Sequence, residues 1–191
     1  MESAHLILEP LTHLHIPELY EEIGTDPDIY RWLLFPAPTS FSDFQQVLNG
    51  YIEESQSGFR IAHAVILKES GKAIGTTSYL DINPAQSSLE IGSTFYAKSY
   101  WRSYVNTECK LTLLTHAFEE RNVERVTLKT DALNQRSRDA IARLGANFEG
   151  ILRHHMRRPD GSWRDSAYYS ILRAEWPYVK NTLVAKLDSY A

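Results

Sequence analysis

The hydrophobic spacing of this chain changes period after Tyr96, and that change restricts the fold more than any other feature. Before it, three runs alternate. Phe59–Lys68 carries Phe59, Ile61, Val65 and Leu67 on one side, Gly71 turns the chain into Ala73–Ile82, and Asn83-Pro84 turns it into Ser88–Tyr96. Period-two alternation broken by turn residues predicts an antiparallel meander. After it, Leu111, Leu114 and Phe118 recur at i, i+3 and i+7 within Asn106–Arg121, the spacing of an amphipathic helix. Arg125–Thr130 then reads as a strand, Asn134–Leu144 as a helix stopped by Gly145, Phe148–Met156 and Trp163–Leu172 as strands joined at Pro159-Asp160-Gly161, and Ala174–Leu187 as a last helix. Ahead of the meander, Ala4–Glu9 is a short strand and Ile16–Ile23 a helix. Asp26–Pro38 is a proline-rich loop, and a second helix, capped by Ser40 or Ser42, runs to Gln56. The order β-α-α-β-β-β-α-β-α-β-β-α predicts an α/β domain with one mixed sheet: an antiparallel meander, a parallel centre of βαβ units, and helices on both faces. Strands four and five, joined through a helix, are expected to be parallel.

No linker or repeat divides the 191 residues, so residues 1–191 are read as a single domain. The lone Cys109 excludes an internal disulfide, zinc ribbons and CxxC redox chemistry. None of the nine glycines form a GxG, which argues against dinucleotide-binding and P-loop folds. A formal net charge of −4 argues against nonspecific nucleic-acid binding by the whole surface. No apolar run reaches the ~18 residues of a membrane span, and the acidic N-terminus has no basic region of a secretory signal, so a cytoplasmic location is expected. The seven histidines are not spaced as a metal site, and no metal is expected.

Several residues carry possible chemistry. Arg102, Ser103, Tyr104, Val105, Asn106 and Thr107 stand at the start of the long helix. Unpaired backbone donors there suit a pyrophosphate, but from the residues alone the segment reads more readily as a surface arginine and an ordinary helix start capped by Asn106 or Thr107. Glu90 lies mid-strand, sharing a face with Gly92, Thr94 and Tyr96 opposite Ile91 and Phe95; a desolvated carboxylate there suits general-base work. Asn134, Ser137, Ile141 and Leu144 form one helix stripe with its polar end at the helix start, where Asn134 is also a plain N-cap. Cys109 is read as a structural cysteine in the helix's first turn, and His63 as a satisfied core histidine. The segment Arg153–Arg158, with Arg164, is read as a solvated basic hairpin, and Tyr30–Phe35 either lines a pocket or packs over the sheet.

The element order, together with Gly75–Ile82 leading to Leu89–Gly92, Trp101–Lys110, Asn134–Gly145 and Asp160–Asp165, resembles the GNAT superfamily of acyl-CoA-dependent N-acetyltransferases, in its RimJ/RimL-like branch. The resemblance covers roughly residues 70–175. It departs at the pyrophosphate loop, where Val105 and Thr107 replace the family's small residues. It implies transfer of an acetyl group from acetyl-CoA to a primary amine. Arg102–Thr107 would meet the pyrophosphate, the backbone near Phe95 the pantetheine, and Asn134 the cofactor. Glu90 would be the base, with Asp165 a second candidate, and Ser137 an acid for the leaving thiolate. The expected partners are a peptide N-terminus or small amine, and a second copy in a homodimer; membrane and nucleic acid are not expected. Two other readings are a noncatalytic CoA-binding regulator, suggested by the altered loop, and an RNA- or ribosome-associated module using the Arg153–Arg164 hairpin.

Overall fold

The structure is a computed structural model and describes residues 1–190. It contains β1 (Leu6–Pro10), α1 (Ile16–Ile23), α2 (Pro27–Tyr30), α3 (Phe41–Gln56), β2 (Arg60–Leu67), β3 (Ala73–Asn83), β4 (Ser88–Tyr96), α4 (Val105–Thr115), β5 (Arg125–Asp131), α5 (Gln135–Arg143), β6 (Asn147–Arg157), β7 (Trp163–Leu172) and α6 (Trp176–Asp188). Of these, α2 is absent from the sequence reading: it is one turn inside the proline-rich loop, started by Pro27 and capped by Asp26, which accepts from Asp28 N at 3.0 Å. Ser40 caps α3 by accepting from the backbone N of Asp43. The long helix extends past α4 through a π turn, His116–Glu120.

The seven strands form one mixed sheet in the order β1-β2-β3-β4-β5-β7-β6. β4 and β5 are its parallel pair and the other pairings are antiparallel. β7 inserts between β5 and β6, so the α5 crossover spans one strand position rather than joining neighbours. One core collects Ile91, Leu128 and Tyr169 from the sheet with Leu113 of α4, Ile141 of α5 and Leu183 of α6; a second collects Leu19 of α1 and Leu48 of α3 with Ala62 and Phe95. The sheet is therefore sandwiched, with helices on both faces. No helix among the described residues is long and apolar enough to cross a membrane.

Two strand patterns differ from expectation. Phe59 lies outside β2 and is 78% exposed, while β2 is buried on both faces, with Ala62, His63, Ala64 and Val65 all inside. A strand covered on both faces loses its alternation. In β4, Thr76 pairs with Phe95 but Ser78 pairs with Gly92, so Thr77 faces two residues, Ser93 and Thr94. Ser93 takes φ 46 in this bulge. The extra residue switches the faces: Phe95 joins the α3 core while Ile91 and Tyr96 join the other. Glu90 and Tyr96 therefore do not share a face.

Candidate active site

The parallel pairing of β4 and β5 is short. Ser88, Leu89 and Glu90 pair with Arg125, Val126 and Thr127, and the ladder then ends. The bulge at Ser93 follows immediately and turns β4 away. A cleft of about 790 Å³ opens where the strands part. Glu90 and Phe95 of β4, Arg102, Ser103, Asn106 and Thr107 at the start of α4, and Asn134 and Ser137 at the start of α5 all line it. Both faces of the expected chemistry thus meet in one depression, at the carboxyl end of β4.

Glu90 is 3% exposed. Its carboxylate meets the Lys129 ammonium of β5 at 2.7 Å. Burial pushes the Glu90 carboxyl above the usual carboxylate range, and Lys129 opposes that rise without cancelling it. Gly92 makes room for the carboxylate: a Cβ there would lie 2.8 Å from Glu90 Oε1. Asp165 is elsewhere. It does not line the cleft, and its Oδ1 accepts the His154 backbone N–H at 2.7 Å, holding a bulge in β6 where His154 takes φ 50.

The helix start differs in detail from the sequence reading. Tyr104 occupies the N-cap position and no side chain caps α4, so neither Asn106 nor Thr107 does so. Ser103 Oγ accepts the Val105 N–H at 3.3 Å. The donors of Asn106 and Thr107, in the first turn, have no carbonyl one turn back within the helix. The Tyr104 ring packs against His5, 4.9 Å between centroids, and Val105 is fully buried in the core; neither side chain lines the cleft. The left-handed residue of this loop is Arg102, φ 63. Val105 and Thr107 belong to the right-handed helix, which requires no glycine at either position.

Asn134 caps α5, its Oδ1 accepting from the Ser137 N at 3.1 Å. It is only 7% exposed and lines the cleft, so capping and cleft placement coincide. Beside it, the Arg136 guanidinium lies over the Trp101 ring at 3.6 Å. Trp32, Leu33, Leu34 and Phe35 line the cleft, while Tyr30 packs on Phe95, so the aromatic loop does both things expected of it.

Cys109 is fully buried in the core, just beyond the first turn of α4, and burial pushes its thiol up. His63 is buried but not satisfied: its Nδ1 has no partner, and burial lowers its pKa to about 4, keeping the ring neutral. The basic hairpin is only partly solvated. Arg158 makes two bonds to buried Asp131, at 2.8 and 3.0 Å, and Arg164 is 6% exposed.

Comparison with known proteins gives the chain its family. Residues 5–147 match the acetyltransferase (GNAT) domain family. This chain is a member of the GNAT acetyltransferase family. The Bacillus subtilis (strain 168) protein named "Putative ribosomal N-acetyltransferase YdaF" is 26% identical over 171 residues, 89% of this chain and 91% of that protein. A GCN5-related N-acetyltransferase from Brucella melitensis is 32% identical with a TM-score of 0.90, covering 97% of this chain and 84% of that one. Mycobacterium smegmatis RimJ, solved in complex with CoA-disulfide, shares the fold at a TM-score of 0.80 and 21% identity, covering 95% of this chain and 88% of that one. These relatives are consistent with the RimJ/RimL-like branch. The acetyltransferase uses acetyl-CoA as co-substrate and transfers its acetyl group to an amine.

Sequence reasoning missed Lys129, Lys110, Arg60, Tyr51 and Arg164 as lining residues. No local signal marks Lys129, whose place two residues past Thr127 matters only through the register of β4 and β5, nor Arg60 and Tyr51, which stack at 3.8 Å between β2 and α3.

Proposed function

We propose that this acetyltransferase acetylates the α-amino group of a peptide N-terminus or a small amine, with Glu90 as general base. The observation that carries this is the buried Glu90 at the point where β4 and β5 part, on the wall of the same cleft as the uncapped α4 start. In the incoming acceptor, Glu90 takes the proton from the ammonium. The freed lone pair attacks the thioester carbon, the carbon–sulfur bond breaks, and the excess proton that the nitrogen then sheds passes through the Ser137 hydroxyl to the departing thiolate, leaving a neutral amide, a thiol and an unchanged serine. An α-amine suits this site, because its pKa of ~7.7–8.0 asks less of the base than a lysine at ~10.4. Arg102 and the free donors of Asn106 and Thr107 fit a pyrophosphate. The backbone of β4 around Phe95, released from β5, fits the pantetheine arm, and Asn134 fits a contact to it. The ribosomal name of the Bacillus subtilis relative supports a peptide N-terminus as acceptor. We further read residues 1–191 as one domain, acting in the cytoplasm, with a homodimer compatible with the fold. A regulator without turnover loses its motive, since the altered positions of the loop are helical. An RNA module loses Arg158, which is spent on Asp131. The test is thiol release from acetyl-CoA against a panel of peptides and amines, with Glu90→Gln in parallel. Turnover that survives the substitution removes Glu90 from the mechanism.

A further inference from the structure

Among the described residues, eight cationic side chains and a single carboxylate, Glu90, line the cleft, although the chain carries a net charge of −4. Four of the cations, Arg102, Arg136, Arg143 and Lys186, stand on the loop before α4, on α5 and on α6, around the helix start proposed above for the pyrophosphate. Lys110 of α4 is buried against the Thr94 hydroxyl, and Arg60, Lys129 and Arg164 come from β2, β5 and β7. Two of these three are neutralised within the protein. Arg60 pairs with Glu54 at 2.6 Å, and Lys129 lies 2.7 Å from Glu90 and 3.5 Å from Asp81.

Arg164 is not neutralised. It is 6% exposed, its Nε is buried without a hydrogen-bond partner, and no carboxylate among the described residues forms an ion pair with it. The two carboxylates whose fields reach it are already committed, Asp131 to Arg158 at 2.8 Å and Glu90 to Lys129. Burial works against its charge. A buried guanidinium without an anion is costly, and such groups are paired or bind ligands. Its cross-strand neighbour on β6, Met156, also lines the cleft. The Arg164 fork therefore faces the acceptor's space, on the Glu90 side.

We propose that Arg164 binds a carboxylate carried by the acceptor, so that the preferred substrate is a primary amine with a carboxylate a few bonds away: a free amino acid or an acidic peptide N-terminus. The ammonium of such a molecule meets Glu90 beside Lys129, while its carboxylate gives the Arg164 guanidinium the anion it lacks. A polyamine would instead bring further ammonium groups against Arg164 and Lys129. This inference rests on the acetyltransferase reading of the cleft and narrows its acceptor.

Thiol release is measured for matched pairs: serine against serinamide, and C-terminally amidated Ser-Glu peptides against Ser-Gln peptides, with spermidine alongside. The acid member is expected to lead in kcat/KM by about tenfold or more in one pair, and which pair shows it identifies the source. Arg164→Gln is expected to erase that preference by raising KM, and Arg164→Lys to keep part of it, which separates lost charge from lost folding. Amides turned over as well as acids, spermidine as the best acceptor, or a preference that survives Arg164→Gln would overturn the proposal. If no amine releases thiol, calorimetry of acids and amides with the CoA-bound protein decides. Acid binding that Arg164→Gln abolishes keeps this proposal and removes the transferase reading; equal binding removes both.

Discussion

Glu90 is held between opposing influences, and its neighbours make its behaviour testable. Burial lifts its pKa, Lys129 restrains the lift, and Gly92 leaves the space it occupies. The acid limb of the kcat/KM profile is expected above the ~4.3 of an ordinary glutamate, with activity rising as the carboxyl ionises. In Glu90→Gln that limb disappears and kcat falls by about 10²–10⁴, while calorimetry shows acetyl-CoA still bound. Gly92→Ala is expected to lower kcat without changing the KM for acetyl-CoA, because its Cβ would stand 2.8 Å from Oε1 and move the carboxylate rather than the cofactor. Lys110 is a second buried charge, 5% exposed, hydrogen-bonded to Thr94 and without a carboxylate. Burial lowers its pKa from 10.5 to about 8. The ammonium is therefore disfavoured in the fold, at a cost on the order of 3 kcal/mol that is fully present below pH ~8 and relieved as pH rises towards ~10.5. Lys110→Met is expected to be more stable than the native chain at pH 7, and the gap to narrow at pH 10. Urea unfolding at the two pH values measures this, and a variant no more stable at pH 7 would refute it.

At the scale of elements, the α4 start and the β4 bulge cooperate. The bulge parts β4 from β5, and the uncapped helix start closes the resulting cleft at one end. Arg102 combines two roles there, a charge and a left-handed backbone at φ 63. Glycine at this position keeps the backbone without strain and removes the charge. Arg102→Gly is accordingly expected to weaken acetyl-CoA binding severalfold by calorimetry with no loss of thermal stability. A fall in melting temperature with unchanged affinity would mean that the side chain serves the fold instead. The element order and the parallel β4–β5 pair follow from periodicity and the crossover rule. The bulge does not: Phe95 and Tyr96 are both apolar, so the switch of faces that the inserted residue causes leaves no mark on the alternation.

The whole molecule is acidic, yet its cleft is basic. Net charge would repel acetyl-CoA, whereas the local field of the cleft cations left without a carboxylate partner would attract it. The local field is closer and acts across low-dielectric walls, so it is expected to win. Added salt should therefore weaken acetyl-CoA binding and slow its association, and stopped-flow measurement over a salt series checks the sign. Binding that tightens with salt would show that the global charge dominates.

Local rules single out Glu90, Asn134, Ser137 and the Arg102–Thr107 segment in the chain (a carboxylate within an apolar strand, a cap before a helix, and polar residues ahead of an amphipathic period), and the fold brings all of them but Tyr104 and Val105 to one cleft. Fold class was legible for the same reason, since period and turn residues act over a few positions. Pairing was not. Arg164 reads as one more charge on a basic hairpin, and only the insertion of β7 between β5 and β6 buries it on the cleft wall without an anion. Arg158, six residues earlier, reads identically, yet packing gives it Asp131. Which buried charge finds a partner depends on contacts between strands distant in sequence, and the free energy of a buried ion is set by those contacts rather than by its neighbours along the chain.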